Sequence, residues 1–267
     1  MKLKFPKPAR TKEIINFFKS KKLNNLVVQS EIKSKSKPNL KKITKPYKPE
    51  LQDLYMLYKY VILNKRTTIL EFGSGWSSLV FAKALNELKA KYSKKITSLR
   101  RKNPFELFIL ENEKKYLNIS KKRIEKYFLK KKLKPTKVHY NYSDVYMSEY
   151  QGKIVTKYKK IPLCNPDFIY LDGPDQSKIK GNISGINIKH TDLMPMVCDI
   201  LKIEYFLLPG TIIVIDGRGA NAFFLKQNFK RKWNYIYKKK LDQHLFILTD
   251  DPIGELNKKQ LDFYSSN

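Results

Sequence analysis

The stretch that decides the fold is Thr68-Ile69-Leu70-Glu71-Phe72-Gly73-Ser74-Gly75-Trp76-Ser77-Ser78-Leu79-Val80. Residues 68–70 favour a β-strand, which delivers the carboxylate of Glu71 to its carboxyl end. Glycines at 73 and 75 let the backbone come close to a ligand, and an apolar helical pattern follows from Leu79. The order strand, acid, glycine turn and helix is typical of α/β sheets that bind a nucleotide-like ligand at their strand ends.

The same arrangement recurs along the chain. Apolar strand-like runs at 105–110, 137–140, 167–171 and 212–215 precede Glu111, Asp144, Asp172 and Asp216. Helical patterns at 49–63, 79–88, 116–129, 193–203 and 220–229 separate them, and further strands are predicted at 233–237 and 244–249. Alternating strands and helices predict a doubly wound, seven-stranded, mostly parallel sheet. The tail after residue 252 is predicted to be polar surface, and 150–161 a loop or hairpin.

These motifs resemble those of the class I S-adenosylmethionine (SAM) dependent methyltransferases, whose first motif is acid-x-Gly-x-Gly-x-Gly. Glu71, Gly73 and Gly75 match that motif, while Ser77 stands where the third glycine usually sits. The segment 207–211, Leu-Leu-Pro-Gly-Thr, resembles the signature before the fifth strand, one residue shorter. Asp-Gly at 172–173 resembles the strand-four segment of small-molecule O-methyltransferases, with Pro-Asp-Gln replacing the usual acid-histidine pair.

The resemblance implies SAM as cofactor, with Glu71 and the turn at the methionine end, Glu111 at the ribose and Asp144 on the adenine side. A carboxylate suits the ribose because it accepts two hydrogen bonds from a vicinal diol. The cofactor-binding residues it implies are Glu71, Gly73, Ser74, Gly75, Trp76, Ser77, Glu111, Asp144 and Asp172.

The same resemblance places Asp172 nearest the transferred methyl group, and we predict Asp172, Asp216 and His190 as catalytic residues. His190 lies in a glycine-containing polar loop at 177–192, and histidine is the side chain that most often serves as a general base near neutral pH. Catechol-type relatives share a divalent ion between acids at the strand ends of Asp172 and Asp216. Because Gly217 and Arg218 replace the asparagine that accompanies the second acid in those relatives, no metal site is predicted.

The formal net charge of +31 invites a nucleic-acid interpretation. However, 48 of the basic residues are lysines and only seven are arginines, whereas bidentate recognition of phosphate and guanine favours arginine. Residues 1–48 carry 15 basic residues and are predicted to be a basic N-terminal extension, with a short helix around Ile14–Phe18 and an extended or mobile stretch at 30–46. Residues 49–267 form the predicted SAM-binding domain.

No apolar run approaches the ~20 residues of a membrane helix, and no secretory signal is recognisable. The two cysteines lie in apolar surroundings, so a cytoplasmic protein with reduced thiols is expected.

The function predicted is SAM-dependent methyl transfer to a hydroxyl of a small molecule or sugar. The alternatives are the same enzyme acting on RNA or another polyanion, and a non-catalytic basic nucleotide-binding protein of the same fold. An NAD-type Rossmann protein is disfavoured, because Gly-x-Gly-x-x-Gly is missing and an acid precedes the glycines. The acceptor, the methylated atom and the oligomeric state stay open.

Overall fold

A computed structural model describes residues 3–31, 48–190 and 192–266. Its helices are α1 (Thr11–Ser20), α2 (Asn24–Glu31), α3 (Leu51–Leu63), α4 (Trp76–Ile96), α5 (Lys114–Lys130), α6 (Asp199–Ile203), α7 (Gly219–Asn228) and α8 (Gly254–Ser265). Its strands are β1 (Thr68–Phe72), β2 (Glu106–Glu111), β3 (Lys137–Tyr142), β4 (Val145–Tyr150), β5 (Lys153–Tyr158), β6 (Phe168–Leu171), β7 (Ile179–Lys180), β8 (Met196–Val197), β9 (Ile212–Asp216), β10 (Trp233–Lys238) and β11 (Gln243–Leu248).

The predicted seven-stranded, mostly parallel sheet is confirmed. Its strand order is β10-β11-β9-β6-β1-β2-β3. The strands β3, β2, β1, β6 and β9 pair in parallel, and β11 runs antiparallel to both β9 and β10. The chain moves outward from β1 to β2 and β3 and then returns to β6 on the other side of β1. This reversal between β1 and β6 is the switch point, where open α/β sheets bind ligands beyond their carboxyl ends.

Side chains of the central strands alternate between two cores, because successive residues of a strand point to opposite faces. Phe168 and Tyr170 of β6 join one core, which also contains α1 to α5 and α8. Ile169 and Leu171 join the other, formed with α6, α7 and the smaller sheet. Burial on both faces explains why these strands read as continuous apolar runs.

A second sheet of four strands, in the order β7-β4-β5-β8, covers one face of the large sheet. Its centre is the hairpin β4–β5, joined through Gln151 and Gly152, which both have positive φ. Such a two-residue turn matches the twist of the flanking strands. The range 150–161, predicted to be a loop or hairpin, contains the turn and β5 of this hairpin, whereas β4 and the sheet around it were not predicted.

Two sequence predictions of local structure were wrong. The helix expected over 193–203 is shortened to α6, because Pro195 disfavours a helical residue before it and β8 pairs with β5 instead. The tail expected at the surface forms α8, where Phe263 and Tyr264 are buried and the Tyr264 hydroxyl donates to Asp167 at 2.9 Å. These apolar residues are too few to give the tail a clear helical pattern.

The described part of the N-terminal extension packs on the domain. The helix expected around Ile14–Phe18 is α1, and α2 follows it. Ile14, Phe18 and Leu26 are buried in the same core as α3 and α4. Most of the stretch predicted to be extended, residues 32–46, lies outside the described residues, and the division at residue 48 stays a prediction.

Within the described ranges, no helix is both long enough and apolar enough to cross a bilayer. The longest, α4, has 21 residues and ends in a basic turn. Both cysteines, Cys164 and Cys198, are free thiols.

Candidate cofactor and acceptor site at the carboxyl edge of the sheet

The turn after β1 is held against the end of β6 by two glycines. Gly73 has φ of +100°, and a Cβ added there would lie 2.9 Å from the nitrogen of Gly173. A Cβ added at Gly173 would lie 2.5 Å from the nitrogen of Gly73. The Gly73 N–H donates to the carbonyl of Leu110 at 2.8 Å, which ties the turn to β2 as well. The turn therefore sits at the switch point, and α4 begins there at Trp76.

Glu71 is buried beneath this turn, with a relative exposure of 1%. Its Oε1 accepts a 2.5 Å hydrogen bond from the Ser77 hydroxyl. Its Oε2 is buried and has no partner of hydrogen-bonding geometry among the described residues. Burial raises the pKa of Glu71 to about 8, and hydroxyls of Ser77 and Ser78 oppose the rise. A buried carboxylate oxygen without a donor is the kind of atom that a ligand donor or cation satisfies.

Glu111 ends the neighbouring strand and contacts the same turn. Its Oε2 accepts from the Ser74 hydroxyl at 2.7 Å. Its Oε1 accepts from the backbone N–H groups of Asn112 and Glu113 at 2.8 and 2.9 Å. Burial raises the pKa of Glu111 to about 7, and these hydrogen bonds oppose the rise. The structure thus brings Glu71, Glu111 and residues 73–77 together, as the sequence predicted.

Arg123 of α5 fixes the turn from outside. Its guanidinium lies 3.9 Å from the centroid of the Trp76 ring, and Nη1 donates to the Gly75 carbonyl at 2.9 Å. The Ser120 hydroxyl donates to the same carbonyl at 3.1 Å. Burial lowers the pKa of Arg123 to about 10 while the charge of Glu71 raises it, so Arg123 is a cation at neutral pH. Sequence reasoning missed this residue, because a lone arginine in a lysine-rich helix gives no signal.

Asp172 and Asp216 follow the last paired residues of β6 and β9, Leu171 and Ile215, and therefore stand side by side. Tyr170 donates its hydroxyl to Asp216 Oδ2 at 3.2 Å. Burial, and then the charge of Asp172, raises the pKa of Asp216 to about 7. Burial among protein atoms also raises the pKa of Asp172 and Arg218 opposes it. Because the Asp172 side chain is exposed to solvent, water counteracts the burial effect and we expect a carboxylate at neutral pH.

Side-chain to backbone bonds join the loops that carry these acids. Asn112 and Asp175 exchange two hydrogen bonds, Asn112 Nδ2 to the Asp175 carbonyl at 3.0 Å and the Asp175 N–H to Asn112 Oδ1 at 2.8 Å. Arg218 donates through Nε to the carbonyl of Asp172 and through Nη2 to that of Pro174, both at 2.9 Å. The loops after β2, β6 and β9 are thereby fixed relative to one another.

Two predicted site residues lie in other surroundings. Asp144 accepts from the Tyr142 hydroxyl at 2.7 Å and pairs with Lys180 at 2.9 Å, and the Lys180 hydrogen bond lowers its pKa. His190 is exposed, and its Nδ1 accepts from the Asp192 N–H at 3.3 Å. Within the described residues it hydrogen-bonds to neither Asp172 nor Asp216. Their roles in cofactor binding and catalysis stay predictions.

Asp53 is an acid of this edge that sequence reasoning missed. It lies in the first turn of α3, where acids are common because they face the positive end of the helix. Here burial, and then the charge of Asp216, raises the pKa of Asp53 to about 8. Only the folded chain reveals that Asp53 lies beside Gln243 of β11.

Other sites are less favoured. Two cavities of about 350 and 460 Å³ lie elsewhere, lined by residues such as Lys65 and Tyr92 or Phe128 and Tyr140, and contain none of the strand-end acids named above. In the described part of the chain, no three His, Cys, Asp or Glu side chains converge as metal ligands.

Comparison with known proteins gives matches only among solved structures. No family model matches the chain, and no curated protein matches it significantly. An O-methyltransferase from Bacillus cereus in complex with SAH is 13% identical, with a TM-score of 0.39, over 91% of this chain and 92% of the other. The O-methyltransferase TomG from Streptomyces achromogenes, involved in tomaymycin synthesis and solved in complex with SAM, is 12% identical, with a TM-score of 0.36, over 76% of this chain and 82% of the other. Similarity at this level does not extend to the activity of the chain.

Proposed function

We propose that this protein is a SAM-dependent methyltransferase that acts on a hydroxyl of a small molecule or sugar. The observation that carries the proposal is the pair Glu71 and Glu111, buried on adjacent parallel strands and each bonded to a serine of the glycine turn between them. Their order along the chain matches the class I methyltransferase motif that the sequence resembles.

The side chains present fit SAM. The buried Oε2 of Glu71 has no hydrogen-bond partner among the described residues. A cationic ligand group at the methionine end would suit it, because that charge would favour the ionised carboxylate against the effect of burial. Glu111 accepts three hydrogen bonds, and a carboxylate offers about four acceptor positions, so it can still accept from a ribose hydroxyl. Because a Cβ at Gly73 or Gly173 would collide with the other residue's backbone, both positions are without side chains in the turn. Asp144 is proposed on the adenine side, where Lys180 would also be near.

The bound cofactor supplies an electrophilic methyl group on a sulfonium, which leaves as a neutral thioether. The chain must then orient the acceptor and remove its hydroxyl proton. Asp172, exposed beside the glycine contact, is the proposed base: it takes the hydroxyl proton as the oxygen–methyl bond forms. Asp216, bonded to Tyr170, is proposed to orient the acceptor.

The acidic side chains at this edge of the sheet disfavour a polyanion as the methyl acceptor. Asp172 and Asp242 act electrostatically on Asp216, and Asp216 and Asp242 act on Asp53. Each of these acids that is ionised would repel a phosphate group. The free thiols of Cys164 and Cys198 support the cytoplasm as the proposed compartment.

Transfer of labelled methyl from SAM to a panel of hydroxyl compounds tests the proposal. We expect turnover by the wild-type chain with at least one acceptor, and its loss in Glu111→Gln. Turnover only with RNA, falling steeply between low and moderate salt, would favour the polyanion alternative instead. A chain that binds neither SAM nor S-adenosylhomocysteine contradicts the proposal.

A further inference from the structure

Asp53 and Asp216 form an acidic pair without a basic partner, in a chain with 55 lysines and arginines against 24 acids. Both side chains are half-buried. Among the ion pairs of residues 3–31, 48–190 and 192–266, none involves either carboxylate. Two neighbouring acids without a cationic partner, in a strongly basic protein, point to a position kept for a ligand.

A neutral buried side chain points to the same position. Gln243 of β11 is fully buried and stands opposite Asp216 in the antiparallel ladder. Its Nε2 lies 3.5 Å from Asp53 Oδ1, so the amide head reaches the acidic pair. Its Oε1 is buried and has no hydrogen-bond partner in the described part of the chain. An amide oxygen can only accept, so the missing partner is a donor.

Tyr60 adds a second unsatisfied group. It lies two helical turns after Asp53 on the same face of α3 and is fully buried, and its hydroxyl has no partner in the described residues. Burial raises the pKa of Tyr60, and the charges of Asp216 and Asp53 raise it further, so the hydroxyl is within electrostatic reach of the pair.

We propose that Asp53, Asp216, Gln243 and Tyr60 form a subsite for a protonated amine of the methyl acceptor. The inference rests on the proposed function, because it assigns the acceptor's chemical class at the same edge of the sheet. An ammonium group offers three donors and one positive charge, which matches two carboxylates and an amide oxygen. Glu50 is a third acid near the pair, and its charge acts on both carboxylates. A divalent metal still fits less well, because no three His, Cys, Asp or Glu side chains of the described residues are arranged to hold one.

A matched pair of sugars tests the subsite: glucosamine and glucose differ in one amine for one hydroxyl. Their affinities are measured by NMR titration at pH 7, where most of the glucosamine amine is protonated, with the full-length protein saturated with S-adenosylhomocysteine. We expect glucosamine to bind about tenfold more tightly than glucose, as a charge-assisted hydrogen bond would give. The preference should fall to less than twofold in Asp53→Asn. It should persist in Asp251→Asn, which neutralises an exposed acid outside the cluster.

The affinity of each variant for S-adenosylhomocysteine separates the two levels of the argument. If the wild-type chain does not bind S-adenosylhomocysteine, the proposed function fails. If it binds but shows no preference for glucosamine, the amine subsite alone is wrong. If Asp53→Asn does not fold, Tyr60→Phe takes its place, because it removes only the unpartnered hydroxyl. This variant should lose more affinity for glucosamine than for glucose. Saturable Mg²⁺ binding by calorimetry that Asp53→Asn abolishes would overturn the amine assignment in favour of a metal.

Discussion

Gly73 and Gly173 touch backbone to backbone where the strand order of the sheet reverses, between the parallel strands β1 and β6. A Cβ on either residue would lie 2.9 Å or less from the other's nitrogen. Gly73 alone also has positive φ, at +100°. The contact brings the turn after Glu71 beside the loop after Asp172, and so joins the proposed cofactor and acceptor halves of the site.

Gly173→Ala should therefore destabilise the fold by about 1–3 kcal/mol, because overpacking against backbone cannot relax by side-chain rotation. Gly152→Ala is the control: it has a φ of +72° but open space around its Cβ, and should cost only the ~1 kcal/mol of the left-handed conformation. Urea unfolding measures both. A role for the contact in the site would be contradicted if Gly173→Ala destabilised the chain no more than Gly152→Ala and left the binding of S-adenosylhomocysteine unchanged.

Burial of Glu71 makes stability depend on pH. The carboxyl has a pKa of about 8 in the folded chain and near 4.5 when unfolded. The native state therefore binds more protons between these values, and the free energy of unfolding falls as pH rises through this window. Glu71→Gln removes the titrating group. Between pH 5.5 and 7.5 the free energy of unfolding of this variant should therefore fall by about 1–3 kcal/mol less than that of the wild type.

Urea titrations without cofactor at the two pH values check this slope. Glu149→Gln, at an exposed position of β4, should leave it unchanged. An identical slope for the wild type and Glu71→Gln would show that Glu71 is already ionised in the fold.

Arg123 should act on cofactor affinity through the turn. Arg123→Lys loses the guanidinium contact with the face of Trp76 and the directed hydrogen bond to the Gly75 carbonyl, since lysine is a point charge without a planar fork. We expect affinity for S-adenosylhomocysteine to fall about tenfold, and calorimetry measures it. Lys122→Ala, at the exposed neighbouring position, should have no effect. A comparable loss in both variants would mean that only the general charge of α5 matters.

Values of kcat for methyl transfer distinguish the two candidate bases, Asp172 and His190. Asp172→Asn should lower kcat by about 10²–10⁴-fold, the usual contribution of a general base. His190→Ala should change kcat less than threefold, because the histidine is exposed and bonded within its own loop. The reverse ranking would identify His190 as the base and leave Asp172 in cofactor binding.

Strand positions and their terminal acids could be predicted because buried parallel strands leave continuous apolar runs. The runs ending at Glu71, Glu111, Asp172 and Asp216 show this directly, and their neighbourhood follows from parallel topology alone. Glu71 and Glu111 also gave the cofactor half of the candidate site.

The residues that sequence reasoning missed depend on contacts between distant elements. Nothing in the local sequence distinguishes three of them, Asp53, Gln243 and Arg123, from other helix or strand residues. Their place in the site depends on the contact of α3 with β11 and of α5 with the glycine turn. His190 and Asp144 lie on connections, where composition does not determine direction. The small second sheet was missed because β7 and β8 have only two residues each, too few for a periodic pattern.

Titration calorimetry with S-adenosylhomocysteine tests the central claim most directly. The account predicts saturable binding at one site per chain, weakened about tenfold or more when Glu111→Gln removes the carboxylate, and no binding of NAD⁺ under the same conditions. A folded wild-type chain that gives no heat with S-adenosylhomocysteine, or that binds it equally well without the Glu111 carboxylate, would contradict the account.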